Sequence, residues 1–168
     1  NLGAKGQLRH RPFVVAYGGK LYRWGGRMGT VSTNTMDIYD PQTGLATAGP
    51  PGGFARDGGS VEVYGSRLYF FGGWDQTLGT YLNYMDVFDC AKGTWGTTLS
   101  GGALRGHFAS GLYKGNMYMW LGYSGFGAIN SLDIWDLGND GASILTLQDD
   151  GANSVSIRGG SEIFGEQG

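Results

Sequence analysis

The sequence predicts an all-β fold of consecutive four-stranded antiparallel units. Three observations carry this. The first is a repeat. Arg9, Arg56 and Arg105 recur at intervals of 47 and 49, and Tyr22, Tyr69 and Tyr118 keep the same two intervals. Asp37, Asp86 and Asp133 are spaced by 49 and 47, as are Asp40, Asp89 and Asp136, and Asn34, Asn83 and Asn130 stand three residues before the first Asp of each pair. A period of this size marks the unit of a propeller or a solenoid, which must stack on neighbours to bury its faces. The second is composition. The chain has 34 Gly in 168 residues, yet 40% hydrophobic and 14% aromatic residues argue against disorder. The glycines fall at turns between apolar runs, as an all-β fold requires. The third is the lack of any sustained helical period, so no helix beyond about two turns is expected.

Each unit justifies itself element by element. The middle one is clearest. Residues 61–64 and 68–71 are short runs rich in Val, Tyr and Phe, joined by Gly65-Ser66, where Gly takes positive φ without a Cβ clash. Met85–Phe88 is a third run with Asp86 between apolar neighbours, and a fourth begins near Trp95. In the first unit the strands are Phe13–Tyr17, Leu21–Trp24 and Met36–Tyr39, with turns at Gly18-Gly19 and 40–44. Pro50 and Pro51 cannot donate ladder hydrogen bonds, so 49–53 is a connector. The third unit reads Phe108–Tyr113, Met117–Leu121, Leu132–Trp135 and Ser143–Leu147. After 149–151 the pattern restarts at 155–160, which resembles 61–66, with Ile163-Phe164-Gly165 as the remnant of a second strand. The expected organisation is a single domain: unit one about 9–48, unit two about 56–99, unit three about 105–147 and part of a fourth at 153–165.

Arg, an apolar strand, Leu-Tyr-x-x-Gly-Gly, a variable loop, Asn-x-x-Asp-x-Tyr-Asp and a following Trp together resemble the kelch repeat. The resemblance covers roughly residues 9–147. It implies a β-propeller with one repeat per blade: three blades here and part of a fourth. The departures are Leu121 for the first glycine of the pair, and Leu45 or Ala46 and Ala142 where the second repeat has Trp95. They bear on the outer strands of blades one and three, not on the blade architecture. Propellers typically close with 4–8 blades. An open arc exposes its terminal faces, and roughly 400 Å² of apolar surface on each forfeits on the order of 10 kcal/mol. The remaining blades are therefore expected from the same longer chain or from another subunit.

Composition narrows the function. Net charge is −2 with no basic cluster, so no nucleic-acid partner is expected. No apolar run is long enough to span a bilayer, so no membrane insertion is expected. Cys90 is the single cysteine; it excludes an intrachain disulfide and a Cys-based zinc cluster and reads as a turn residue. The expected setting is intracellular and cytoplasmic. His10 and His107 lack carboxylates at ligand spacing, so no metal and no cofactor are expected. The Asp residues recur in every unit and serve the blade, and no nucleophile or phosphate-loop signature occurs; no catalytic residue is assigned.

The long loops between second and third strands, 27–33, 74–82 and 123–129, differ chemically from one another. Variable loops on a rigid scaffold are where binding tends to reside. Arg27, Trp74, Asp75, Tyr81, Tyr123 and Phe126 are the candidate contacts, aromatics and Arg being suited to hot spots. The alternative for Trp74 and Tyr123 is that they cover blade edges. The resemblance places Arg9, Arg56 and Arg105 near the central-channel mouth on the same face, where they would form a ring for an acidic peptide. The alternative is that each bonds backbone carbonyls and fixes the entry loop of its blade. The expected function is a non-catalytic module binding a protein or peptide, including an acidic one. A structural subunit of a larger assembly, or the propeller of a carbohydrate-active oxidase or epimerase, is the alternative.

Overall fold

The structure is a computed structural model that describes residues 8–139, 144–149 and 155–158. Alternating side chains and two-residue turns produce three antiparallel sheets in sequence. The first blade holds β1 (Phe13–Tyr17), β2 (Lys20–Trp24), β5 (Met36–Asp40) and β6 (Leu45–Gly49), in that spatial order, with the small hairpin β3 (Arg27–Met28) and β4 (Val31–Ser32) rising from its loop. The second holds β7 (Ser60–Tyr64), β8 (Arg67–Phe71), β11 (Tyr84–Asp89) and an outer strand split into β12 (Thr94–Trp95) and β13 (Leu99–Ser100). Its loop forms the hairpin β9 (Trp74–Asp75) and β10 (Thr80–Tyr81). The third holds β14 (Ala109–Tyr113), β15 (Asn116–Trp120), β16 (Ser131–Asp136), β17 (Ile144–Asp149) and β18 (Val155–Arg158). Among the described residues there is no helix.

Two differences from the sequence reading have physical causes. Val155–Arg158, expected to open a fourth blade, instead pairs antiparallel with β17 as a fifth strand of blade three. Val-Ser-Ile-Arg alternates as any edge strand does, and alternation says nothing about which strand it pairs with. The rest of the expected partial blade, 159–165, lies outside the described residues. The second difference is the outer strand of blade two. Trp95 faces Phe88 and Leu99 faces Met85, so residues 96–98 oppose only 86–87. This is a bulge. The two outer strands without a Trp run straight.

The core lies between blades, as stacked units require. Phe13, Tyr22, Trp24 and Met36 of blade one pack on Leu68, Phe70 and Phe88 of blade two. Trp95 joins this contact; its ring is 5.3 Å from that of Trp24, and its Nε1 donates to the Pro50 carbonyl at 2.9 Å. Tyr69, Phe71 and Met85 then pack on Met117, Met119, Trp135 and Leu137 of blade three. Tyr22 and Tyr69 thus face the next blade. The Asp residues before the outer turns do what short carboxylates do there: Asp40 accepts from Gln42 N at 2.8 Å, Asp89 from Ala91 N at 3.0 Å, and Asp136 from Gly138 N at 2.9 Å. Cys90 follows Asp89 in the turn, half-buried, and burial pushes its thiol up.

Candidate functional site: the loop face

The chain reverses at each strand, so the entry loop of each blade and its long inner loop come out on one face. Short bridges join them: His10 with Arg27, Asp57 with Trp74, and Gly106 with Tyr123. The entry loops also bond to each other around the axis. His107 N–H donates to Gly58 O at 3.1 Å, and Gly58 N–H donates to Arg11 O at 3.0 Å. The second glycine of each pair locks onto the next blade: Gly26 N–H donates to Arg56 O at 2.9 Å, and Gly73 N–H to Arg105 O at 2.8 Å. These bonds fix the loop face of the three blades as one surface.

Arg56 and Arg105 are completely buried, and the Arg9 side chain is nearly so. Arg56 donates to the carbonyls of Gly72 (2.7 Å), Phe54 (3.0 Å) and Phe70 (2.8 Å) and pairs with Asp86. Its guanidinium lies 4.8 Å from the Trp24 ring. Arg105 bonds the carbonyls of Met119 and Leu121, Ser131 Oγ, and Asp133 at 2.7 Å. Arg9 bonds Gly25 O and Thr35 O and pairs with Asp37 at 2.8 Å. Burial lowers the pKa of all three, and the paired carboxylate opposes it. Each Asp is shared. Asp86 accepts from Phe54 N at 2.9 Å and from Thr98, which the bulge turns toward it; Asp133 accepts from Ala103 N and Thr146. The Arg–Asp pair is a clamp tying entry loop, second strand and third strand together.

What the loop face presents is an aromatic and basic cluster. The Tyr81 ring is central: 4.9 Å from Trp74, 5.8 Å from Tyr123 and 6.1 Å from His107, each near edge-to-face. It lies over Gly106, where a Cβ would stand 2.5 Å from its Cε1. Burial pushes the Tyr81 hydroxyl up, with the Arg11 charge opposing. Beside it Arg11 Nη2 donates to His107 Nε2 at 2.5 Å, and Arg11 Nε lies 3.2 Å from Asp57 Oδ1. That last contact lacks hydrogen-bond geometry, so neither oxygen of the buried Asp57 carboxylate has a hydrogen bond among the described residues. At the periphery Gln76 Oε1 accepts from Arg27 (3.3 Å) and Trp74 Nε1 (3.1 Å). Among the described residues no group of three or more His, Cys, Asp or Glu is placed to hold a metal ion.

Residues 8–45 and 55–95 match the kelch motif. The first two units are thus kelch motifs. The third unit is the same unit by its strand order and its Arg105–Asp133 clamp. No curated protein matches the sequence. Among solved structures, that of YjhT superposes on 91% of the chain with a TM-score of 0.73 at 13% identity, which shows a shared fold alone. The chain spans 56% of the YjhT chain.

On this kelch face the structure sorts the candidate contacts. Trp74, Tyr81 and Tyr123 come together as one cluster, although Tyr81 itself is buried. Arg27 is half-buried between Gln76 and His10. Phe126 is 98% exposed at the tip of its loop. Four candidates are corrected. Arg9, Arg56 and Arg105 form no open ring, because each satisfies carbonyls inside its own blade. Asp75 is buried and caps the 75–79 turn through Thr77 N (2.8 Å) and Leu78 N (3.1 Å). The sequence reading missed Arg11, Asp57 and His107. The signal is there: Arg11, Gly58 and His107 each stand two residues after a repeated arginine, and all three take positive φ (53°, 71° and 54°).

Proposed function

We propose that this chain is a non-catalytic interaction module whose loop face binds a protein or peptide. The observation that carries the reading is the continuous cluster of Arg11, Trp74, Tyr81, Tyr123 and His107, drawn from all three blades. Aromatic rings with an arginine at hand offer large, stiff contact area and directional donors. The opposite face carries short connections: the turns 18–19, 65–66 and 114–115, and the four-residue turns 41–44 and 90–93. Exposed Tyr123 and Phe126 extend the cluster outward on the loop of blade three. The buried clamps keep this surface stiff, which lowers the entropy lost on binding.

The test compares the two faces with the bound partner. Tyr123→Ala combined with Phe126→Ala should weaken binding at least about tenfold, the cost of removing one or two hot-spot aromatics. Lys92→Ala, in the turn after β11, should leave it unchanged. Retained affinity in the loop variant, or loss in the turn variant, rejects the loop face.

A further inference from the structure

We infer that Arg11 and His107 form a subsite for a carboxylate of the partner, and that filling it places a proton on His107. The inference rests on the loop-face reading and gives it a ligand chemistry. It starts from three equivalent positions in successive blades. Left-handed backbone favours glycine, and blade two has Gly58 there; blades one and three carry Arg11 and His107 in the same strained conformation. The bare middle position is what joins the outer two. A Cβ on Gly58 would lie 2.7 Å from Arg11 Nη2 and 3.1 Å from Nε, so the guanidinium crosses the blade through space that a side chain at residue 58 would narrow. It ends against the imidazole, with Nη2 donating to Nε2.

That contact fixes a protonation state. A guanidinium always donates, so His107 Nε2 must accept, and the ring is neutral. Burial first and the Arg11 charge second lower the His107 pKa, against the pull of Asp57. The groups facing the ring are Arg11 from the entry loop of blade one, Asp57 from that of blade two, and Tyr81 from β10, with Tyr123 beyond it. Asp57 holds Arg11 from beneath through Nε but consumes none of its hydrogen bonds. Both Arg11 and His107 remain accessible to solvent. A carboxylate arriving there replaces the Arg11–His107 hydrogen bond, accepting from Arg11 with one oxygen and from a protonated Nε2–H with the other. It offsets the Arg11 charge that, after burial, disfavours the protonated ring, so the proton comes from solvent and stays on Nε2 while the carboxylate is bound. No covalent bond changes. A neutral donor or an apolar group would gain nothing from the second cation.

The experiment uses the intact chain and hexaglutamate with blocked termini as the probe, at low salt where the charge interaction is not screened. Calorimetry in buffers of different ionisation enthalpy should report uptake approaching one proton per peptide, and affinity should rise by up to about tenfold per pH unit as pH falls from about 7.5 to about 6. The chain has only two histidines, so the His107 ring signal is resolved by NMR with His10 as an internal reference. Its titration midpoint should rise on adding peptide while that of His10 stays. Arg11→Gln should abolish binding, and His107→Gln should leave weaker binding with neither proton uptake nor pH dependence. No binding near pH 6, binding without proton uptake, or full affinity in Arg11→Gln overturns the subsite. The loop-face reading falls separately, by the Tyr123 and Phe126 variant with the partner itself.

Discussion

Replacing Arg56 with alanine should be far more damaging than the same change at Arg9, although the two hold the same repeat position. Arg56 is fully buried and stands against a carboxylate that is almost so. Deleting it leaves Asp86 charged and buried without its cation, and removes the donors of the Gly72, Phe54 and Phe70 carbonyls. Breaking a buried pair from one side costs about 3–5 kcal/mol. The lost packing under Trp24 and Phe13 adds to it. Asp37, in contrast, keeps a second cation: Arg23 Nη2 lies 2.7 Å away, at a partly exposed site. Arg9→Ala therefore loses mainly hydrogen bonds, about 1–2 kcal/mol. Urea unfolding should separate the variants by about 1 M or more in midpoint, at slopes of about 1–3 kcal/mol per molar. Equal midpoints, or an Arg56→Ala cost below about 1 kcal/mol, would refute the clamp as the source of stability.

Two further outcomes follow from the same geometry. Gly72→Ala places a Cβ 2.6 Å from the Arg105 carbonyl and should cost well over the roughly 1–2 kcal/mol of left-handed strain alone that Gly79→Ala pays in open space; chemical denaturation of the pair measures the difference. Tyr22, on the buried junction of blades one and two, has its hydroxyl pushed up to about 12, by burial first and then by the nearby Cys90. The fold holds the neutral phenol, so this contribution is complete below the ordinary tyrosine value of about 10 and is lost as pH rises toward 12; melting curves of Tyr22→Phe should lack that part of the decline.

Much of the fold is legible in the sequence because its determinants are local. Two-residue turns, alternating strands and the Asp-capped turns each occupy fewer than about ten residues and repeat. Partnership is not local. The strand at 155–158 has the alternation of an inner strand and the position of an outer one, and only pairing decides. The arginines mislead for a related reason. Surface Arg is the common case, and their burial depends on Asp37, Asp86 and Asp133, which follow at 28, 30 and 28 residues. That nearly constant offset between opposite charges is itself a sign of a clamp. Arg11 is the hardest residue to read, since it reaches across to blade three over the glycine of blade two.

The two junctions between described blades follow one rule, and the far face of blade three departs from it in a way that constrains any neighbour. At each junction the first glycine of the pair lets the next blade's Arg carbonyl approach: a Cβ on Gly25 would be 2.8 Å from Arg56 O, and on Gly72 2.6 Å from Arg105 O. Trp24 and Phe71, the residues just before, are buried there. In blade three the same places hold Trp120 and Leu121, 61% and 51% exposed, with Leu121 at φ 59°, close to Gly25 and Gly72. Trp120 asks for a cover of the kind Trp24 has. With a φ close to theirs, Leu121 would set its Cβ against a carbonyl that approached as at Gly25 and Gly72. Leucine gains nothing from left-handed backbone, so its presence there is a cost that a regular third junction would only increase. Whatever seats against Trp120 must hold its entry loop back from the place that the first two junctions define. A neighbour held back in this way would make the bond corresponding to Gly26–Arg56 and Gly73–Arg105 only at a longer distance, and that junction would be weaker than the two described.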